Sequence, residues 1–460
     1  MARRTRDLTE GPVWKAIALV AGPMVLGIAA VLSTGLVDAY FLAKVSPEAL
    51  AAVGFIFPLT TTITSLSIGL SAGASAVISQ ALGRKDAEDD VTRRGLHALG
   101  FGIGLATLAS LAFWLLDGWI LTLMNADDDV RDVALRYTPL WCLSFPFLVA
   151  MMLINAVFRA HGNGGVSAGV MVASAVVNVG TTPVFILGLG PVPELGIAGA
   201  ALGTLVAMVA GAAIAGWLAW SDGILQPCEE PLRDLGANAK SILGVGGPAA
   251  ASNAIRPGGM ALVTAAVAVV GSNYVGGFGA ATRVQSLVSV PLLALSSGIG
   301  PVVGQNWGAG AKDRARLALK LCFGFSLGYG LLVALLLFFF AAPIAGAFGA
   351  SEQSTEAAAA YLRIVGWSLF GFGMLVTGNA ALNAISKAGH AMTLSITRVI
   401  AVYVPLAWLG VTLFGYTGIL GAAVIANCFG AWAVLVAARA VGLLETNFVG
   451  VSGPARVVPA

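Results

Sequence analysis

The chain has 460 residues, of which 58% are hydrophobic and only 10% charged, against roughly 45–50% and 25% in soluble globular domains. Such a composition excludes a soluble fold and describes an all-α, polytopic membrane protein. The formal net charge of +3 reports topology, and no nucleic-acid binding is read from it.

A basic amino end (Arg3, Arg4, Arg6, Lys15) precedes the first apolar run, residues 13 to 43. This run is too long for a cleaved signal and lacks the small-residue cleavage pattern, so it is expected to remain as the first span. It contains Pro23 and closes with "GLVDAYFLAK", residues 35 to 44, which carries Asp38 and Tyr40. Further runs follow at 50 to 82, 95 to 118, 131 to 160, 166 to 189, 196 to 220, 241 to 271, 274 to 307, 314 to 342, 355 to 386, 390 to 414 and 417 to 441. Each is long enough to cross a hydrocarbon core about 30 Å thick, which makes twelve transmembrane helices. An even number places both termini on one side. Nineteen Lys and Arg residues fall on that side, among them Arg84, Lys85, Lys312, Arg314, Arg159 and Arg398, and only Lys44, Arg131, Arg136 and Arg363 on the other. The excess of positive charge predicts cytoplasmic termini in a cytoplasmic (inner) membrane.

The two halves repeat. Gly22 and Pro23 return as Gly247 and Pro248, and Gly73, Gln80 and Gly83 as Gly298, Gln305 and Gly308, all at a shift of 225. "PVFILG" from Pro183 and "GIAGAA" from Gly196 return as "PLAWLG" and "GILGAA" at a shift of 222. Six spans per half give both halves the same orientation, and hence a pseudo-two-fold axis along the membrane normal. The expected organisation is an amino-terminal six-helix lobe over 1–220, a cytoplasmic linker over 221–240 and a carboxyl-terminal lobe over 241–460. Parallel repeats of this kind suit a transporter, because two similar bundles can rock about a central site. Glycine, 59 residues in all, suits helices that approach closely in lipid.

Sorted by topology, the 22 acidic residues leave Asp38 as the only carboxylate well inside a span. One reading makes it an interfacial residue of a tilted helix, about six residues from Lys44. The other makes it a protonation or cation site facing an internal cavity, since an ionised side chain facing lipid costs several kcal/mol. Gln80 and Gln305 read as hydrogen-bonding groups at equivalent helix ends. Pro23 and Pro248 interrupt their spans and mark places to bend. Arg256 and Arg283 count as the intramembrane cations and should face the bundle interior or water. Cys142, Cys228, Cys322 and Cys428 lack metal or redox spacing and are expected to be free thiols. His97, His161 and His390 form no zinc motif, and no GxxxxGK[ST] loop is present, so neither a hydrolytic metal nor an intrinsic ATPase is expected.

The "GPM" at Gly22, "VDAYFLAKVSPEALAAVGF" from Val37, "FRAHGNG" from Phe158, "GIAGAALGT" from Gly196, "GAATRVQSL" from Gly279 and "GQNWGAG" from Gly304 resemble the multidrug and toxic compound extrusion (MATE) family over nearly the whole chain. Arg283 in "ATRVQ" is similar to the branch that includes DNA-damage-inducible protein F. The resemblance implies an antiporter, with no enzyme activity and no cofactor, whose amino-terminal lobe binds H+ or Na+ through Asp38, Asn178 and Thr204, with bending at Pro23. The family's second carboxylate is missing, because "NVGTTP" puts Thr182 at its position. A sodium site is weakened when an anionic ligand becomes a hydroxyl, whereas a proton needs one titratable group. H+ is therefore expected in preference to Na+, whose candidate ligands are the same four residues. A second acidic site in the other lobe is absent, with Arg256 standing where a glutamate would be. Tyr40, Arg256 and Arg283 are the candidate cleft residues, and the expected substrates are lipophilic drugs or organic cations handled by a monomer in contact with membrane lipids. A lipid or lipid-linked sugar flippase is the alternative, with the two arginines binding phosphate. A membrane-embedded transferase is a remoter one.

Overall fold

The computed structural model describes residues 6–124, 127–190, 193–348 and 351–445. Among these the regular structure is helical. Six helices build the first lobe: α1 (Val13–Val45), α2 (Pro47–Arg84), α3 (Glu88–Leu123), α4 (Asp128–Ala160), α5 (Gly164–Leu187) and α6 (Ile197–Ser221). The second lobe contains α7 (Leu235–Val270), α8 (Ser272–Val288), α9 (Val290–Gly308), α10 (Lys312–Phe348), α11 (Glu352–Val365), α12 (Leu369–Ala384), α13 (Ala388–Ile396) and α14 (Val404–Ala440).

Ten continuous helical runs are long and apolar enough to cross a membrane, and α8 with α9 forms another span bent by 44°. One of the ten, Ala388–Ala440, is 53 residues long and is two spans, because Gly415 breaks the helix with φ 60° and ψ −139°. Gly196, with φ 54° and ψ −125°, opens α6 in the same conformation. Left-handed φ values of this kind fall to glycine because a Cβ would clash. Twelve spans result, as the hydropathy pattern predicts.

Local rules set the helix ends. Ser46 accepts a hydrogen bond from Ala49 N (3.1 Å) ahead of α2, Ser351 does the same for Ser354 N (3.2 Å) ahead of α11, and Lys85 closes α2 with φ 59°. Close packing within each lobe follows small residues. On α6, Gly199, Gly203, Ala207, Gly211, Ala215 and Ala219 recur at every fourth position and are all buried. They form one ridge against α5 and α4.

The lobes meet at the end that carries Arg84, Lys85, Lys312 and Arg314. There the basic half of α1 (Val13, Ile17, Val20, Ala21) shares one buried apolar cluster with Ile299, Val302 and Val303 of α9 and Phe323 of α10. Gly69 and Gly73 of α2 lie against α7, where a Cβ on Gly69 would come within 2.5 Å of Ala250 N and one on Gly73 within 3.1 Å of Gly246 N. Gln80 and Gln305 are expected to be helix-end groups, and they prove to be an inter-lobe pair. Gln80 Nε2 donates to the Ala384 carbonyl (2.7 Å) and Gln305 Nε2 to the Ala160 carbonyl (2.7 Å). Donors and acceptors are related by the internal repeat, so this is one contact made twice about the pseudo-two-fold axis. The segment before α1 threads the same seam: Leu8 N donates to Gln305 Oε1 (2.9 Å), Asn306 Nδ2 to Leu8 O (3.0 Å), and Arg6 N to His161 O (3.0 Å). The linker is tied to α3, with His97 Nε2 2.7 Å from Pro231 O and Arg93 donating to Glu229 O (3.0 Å). Cys142, Cys228, Cys322 and Cys428 are free.

Candidate functional site

Beyond this seal, α1 loosens. Its fully buried residues run from Val13 to Gly27 and resume only at Leu42, so the stretch around Asp38 is only partly covered. Pro23 lies one turn before the end of the buried stretch. It has no N–H to give the Leu19 carbonyl, which makes it the weak point of the helix.

Asp38 on α1 lies beside Thr182 on α5, one turn after Asn178 on the same helix face. Asn178 and Thr182 are buried. Asp38 Oδ1, Asn178 Oδ1 and Thr182 Oγ1 are shielded from solvent and make no well-formed hydrogen bond among the described residues, while the Thr182 hydroxyl is within reach to donate to the Asp38 carboxylate. Leaving a buried acceptor unmet costs about 1–3 kcal/mol. Shielded, under-coordinated oxygens around a carboxylate are a place for a proton or a small cation, and the residues fit either. Tyr137 of α4 is buried within electrostatic reach of Asp38, a neighbour that the sequence does not single out. Thr204 of α6 makes no hydrogen bond to Asp38 among the described residues. It lies with Asn178 on the wall of the central cavity.

Thr182 is held in place by α6. A Cβ at Gly203 would sit 2.6 Å from Thr182 Oγ1 and 2.9 Å from its Cα. Gly203→Leu is therefore expected to push α5 away and lower the thermal unfolding midpoint in detergent by the equivalent of about 1–3 kcal/mol, with Gly203→Ala intermediate. An unchanged midpoint for the leucine variant would show that the two helices are not in the contact described.

The cavity between the lobes has a volume of about 700 Å³ and is bounded by α1, α2, α4, α5, α6, α7, α9, α12, α13 and the turn after α13. Both lobes contribute polar side chains, but the methionines on the wall (Met24, Met151, Met152, Met171 and Met208) all come from the first lobe, and two of the wall's three arginines, Arg256 and Arg398, come from the second, near Phe372. Among the wall residues the charged ones are Arg159, Arg256 and Arg398, with no carboxylate. Sequence reasoning assigns Arg159 and Arg398 to span ends on the basic side. Both also line the cavity, Arg159 from the last turn of α4 and Arg398 from the segment after α13. Arg256 is placed in the cavity, as expected. Two candidate cleft residues are not on its wall. Tyr40 is two residues past Asp38, hence on another face of α1, where it is exposed with Lys44 Nζ 4.4 Å from its ring. Arg283 is exposed on α8, the half-span that bends away, while α9 supplies the wall. Among the described residues no group of three or more His, Cys, Asp or Glu is placed to hold a metal.

The model of the MatE family matches residues 23–184 and again residues 248–409. The chain belongs to the MatE family. Its two matches begin at Pro23 and Pro248 and are offset by the 225 positions of the internal repeat, so each lobe is one copy of the family's unit. The chain is 30% identical over 422 residues to a FAD transporter of Shewanella oneidensis, covering 91% of this chain and 93% of that one. It is 24% identical to the multidrug export protein MepA of Staphylococcus aureus, covering 93% and 94%. The fold is similar to the crystal structure of a mutant of the Vibrio cholerae MATE transporter VcmN, with a TM-score of 0.89, 27% identity, and coverage of 93% of this chain and 98% of that one. MatE proteins are transporters, and this one is a multi-pass membrane protein that handles small molecules and has no enzyme's reaction to perform.

Proposed function

We propose that this chain is a secondary active efflux transporter of amphipathic small molecules, driven by H+ entry through Asp38 and working by alternating access. The observation that carries it is the shielded, under-coordinated set of oxygens at Asp38, Asn178 and Thr182, with Asp38 on a helix that is closely packed as far as Gly27, one turn past Pro23, and less covered beyond it. An ionised carboxylate only accepts hydrogen bonds, whereas a protonated one also donates. Protonation therefore gives Asp38 a hydrogen to offer Thr182 or its neighbours, draws the outer part of α1 toward α5 about Pro23, and reshapes the cavity wall that Asn178 and Thr204 share. With the basic end toward the cytoplasm, the described state is closed inside, so protons reach Asp38 from outside and substrate leaves there. Na+ uses the same oxygens in the alternative coupling. Thr182 in place of a carboxylate favours the proton.

Relatives named as multidrug export proteins support a broad substrate range. The expected preference for organic cations rests on the family resemblance alone, since the cavity wall offers no carboxylate. A single chain contains both lobes and both sites, so a monomer suffices, and a bacterial inner membrane is the expected location. The test is purified protein in proteoliposomes under an imposed pH gradient, without sodium, challenged with ethidium, riboflavin and riboflavin 5′-phosphate. Proton movement that requires one of these compounds is the expected result. Movement only when a sodium gradient is supplied would replace the ion, and none under either gradient would favour the flippase.

A further inference from the structure

The second lobe holds three features that the coupling reaction does not use. Arg256 stacks over the Phe372 ring, with its guanidinium carbon 4.8 Å from the centroid, and makes no hydrogen bond or ion pair among the described residues. Arg398 lies within electrostatic reach of it. Its one hydrogen-bond partner is the neutral Asn427, through Nη2 (2.7 Å), and its buried Nε has none. Arg398 is carried by a seven-residue π-helical segment, Thr397–Tyr403, a rare conformation that recurs at functional sites. The two guanidinium groups line one cavity and repel each other, and no carboxylate on the cavity wall compensates them. Cations inside a membrane protein are ordinarily paired with one another's counter-charges or with backbone carbonyls.

We infer that Arg256 and Arg398 form an anion subsite in the second lobe, and that the cavity takes a substrate with a phosphate or carboxylate group and a planar ring. The anion sits between the two guanidinium groups, which can each offer it paired N–H donors. The ring lies against Phe372 or reaches across to the methionine-rich wall of the first lobe, where thioether and aromatic surfaces accept flat apolar groups. Arg159, on the cavity floor with Ser167 Oγ as its partner at 3.0 Å, adds a third positive charge without a counter-ion. The two sites occupy different lobes: the repeat places apolar Val263 opposite Asp38, and Val31 opposite Arg256. One lobe thus handles the coupling cation and the other the substrate anion. This assignment rests on the transport reading above, and it makes efflux of the anion against proton entry move positive charge inward, so that an inside-negative potential drives it.

Binding of riboflavin 5′-phosphate and of riboflavin to purified protein in detergent, read by flavin fluorescence, isolates the phosphate on one shared ring. It needs no gradient, so its outcome is separate from that of the transport test. The phosphorylated flavin is expected to bind at least about tenfold more tightly than riboflavin, the lower limit for a hydrogen-bonded charge, and more tightly than ethidium. Arg256→Gln and Arg398→Gln should each remove most of that preference while leaving riboflavin binding in place. Arg283→Gln, outside the cavity, should leave it intact. Arg256→Lys keeps the charge without the paired donors and should retain part of the preference, which supplies an answer if a glutamine variant does not fold. Equal binding of the two flavins by the unaltered chain, tighter binding of ethidium, or a preference that survives both glutamine substitutions would overturn the subsite.

Discussion

Asp38→Asn protein, reconstituted in proteoliposomes, is expected to bind substrate as the unaltered chain does and to show no gradient-driven accumulation above empty vesicles. Asparagine keeps the shape and one oxygen of aspartate but neither ionises nor picks up a proton at neutral pH. It fixes α1 in the hydrogen-bonding mode of the neutral carboxyl, so both directions of the cycle meet the same conformation. The magnitude follows from linkage. One pH unit is worth about 1.4 kcal/mol and sustains about a tenfold gradient per proton exchanged for one monovalent cation; if the substrate is an anion, the membrane potential adds about 2.3 kcal/mol per 100 mV for each charge moved. All of this is forfeited when no proton binds. Folding should not suffer, since a neutral amide in a buried site costs less than a carboxylate. The pair of measurements separates coupling from binding. Uphill transport that persists in the variant would place the titrating group elsewhere and reduce Asp38 to a structural residue.

The parts of this architecture that the sequence shows most clearly are those written as repetition. Twelve apolar runs, the 225-residue shift and the excess of basic residues at one end follow from local composition, and each span in the structure lies within a few residues of its run. Asp38 stands out because a carboxylate among apolar residues is conspicuous, and its partners Asn178 and Thr182 are one helical turn apart. What composition leaves hidden depends on bends. Arg398 reads as a span-end residue until the π-helical segment places it on the cavity wall, and Arg159, one residue from the end of α4, lines the same cavity. Arg283 and Tyr40 stand out as strongly as Arg256 in sequence, and only the 44° bend between α8 and α9 and the rotation of α1 take them off the wall. The gathering of five methionines from the first lobe and of Arg256 and Arg398 from the second is likewise tertiary, since each set comes from several helical segments. Gln80 and Gln305 are visible as repeat partners. That each reaches a carbonyl of the opposite lobe is a property of the assembled pair.

The seal is where a small change should have a large conformational effect. A Cβ at Gly83 would lie 2.8 Å from the Gln305 carbonyl carbon and 2.9 Å from its Cα, and one at Gly308 would lie 2.9 Å from the same two atoms of Gln80. Those neighbours are backbone and cannot move aside like a flexible side chain. Both clashes exist only while the basic ends touch; when the lobes part there, glycine and leucine are equally at home. Gly83→Leu or Gly308→Leu should therefore destabilise one state selectively, by about 1–3 kcal/mol or a factor of roughly 5 to 150 in the ratio of states. The two substitutions together should compound, because they strain one interface twice. Spin labels at exposed Lys85 and Lys312, each replaced by cysteine in a background without the native thiols, would report the separation of the basic ends. The unaltered chain is expected to give a short-distance population that shrinks in favour of a longer one in either leucine variant, with thermal stability largely kept. A distance distribution identical in all proteins would mean that the glycines are not the contact on which closure depends. Unfolding of both single variants would show that the seam belongs to the stable core and never opens in the cycle.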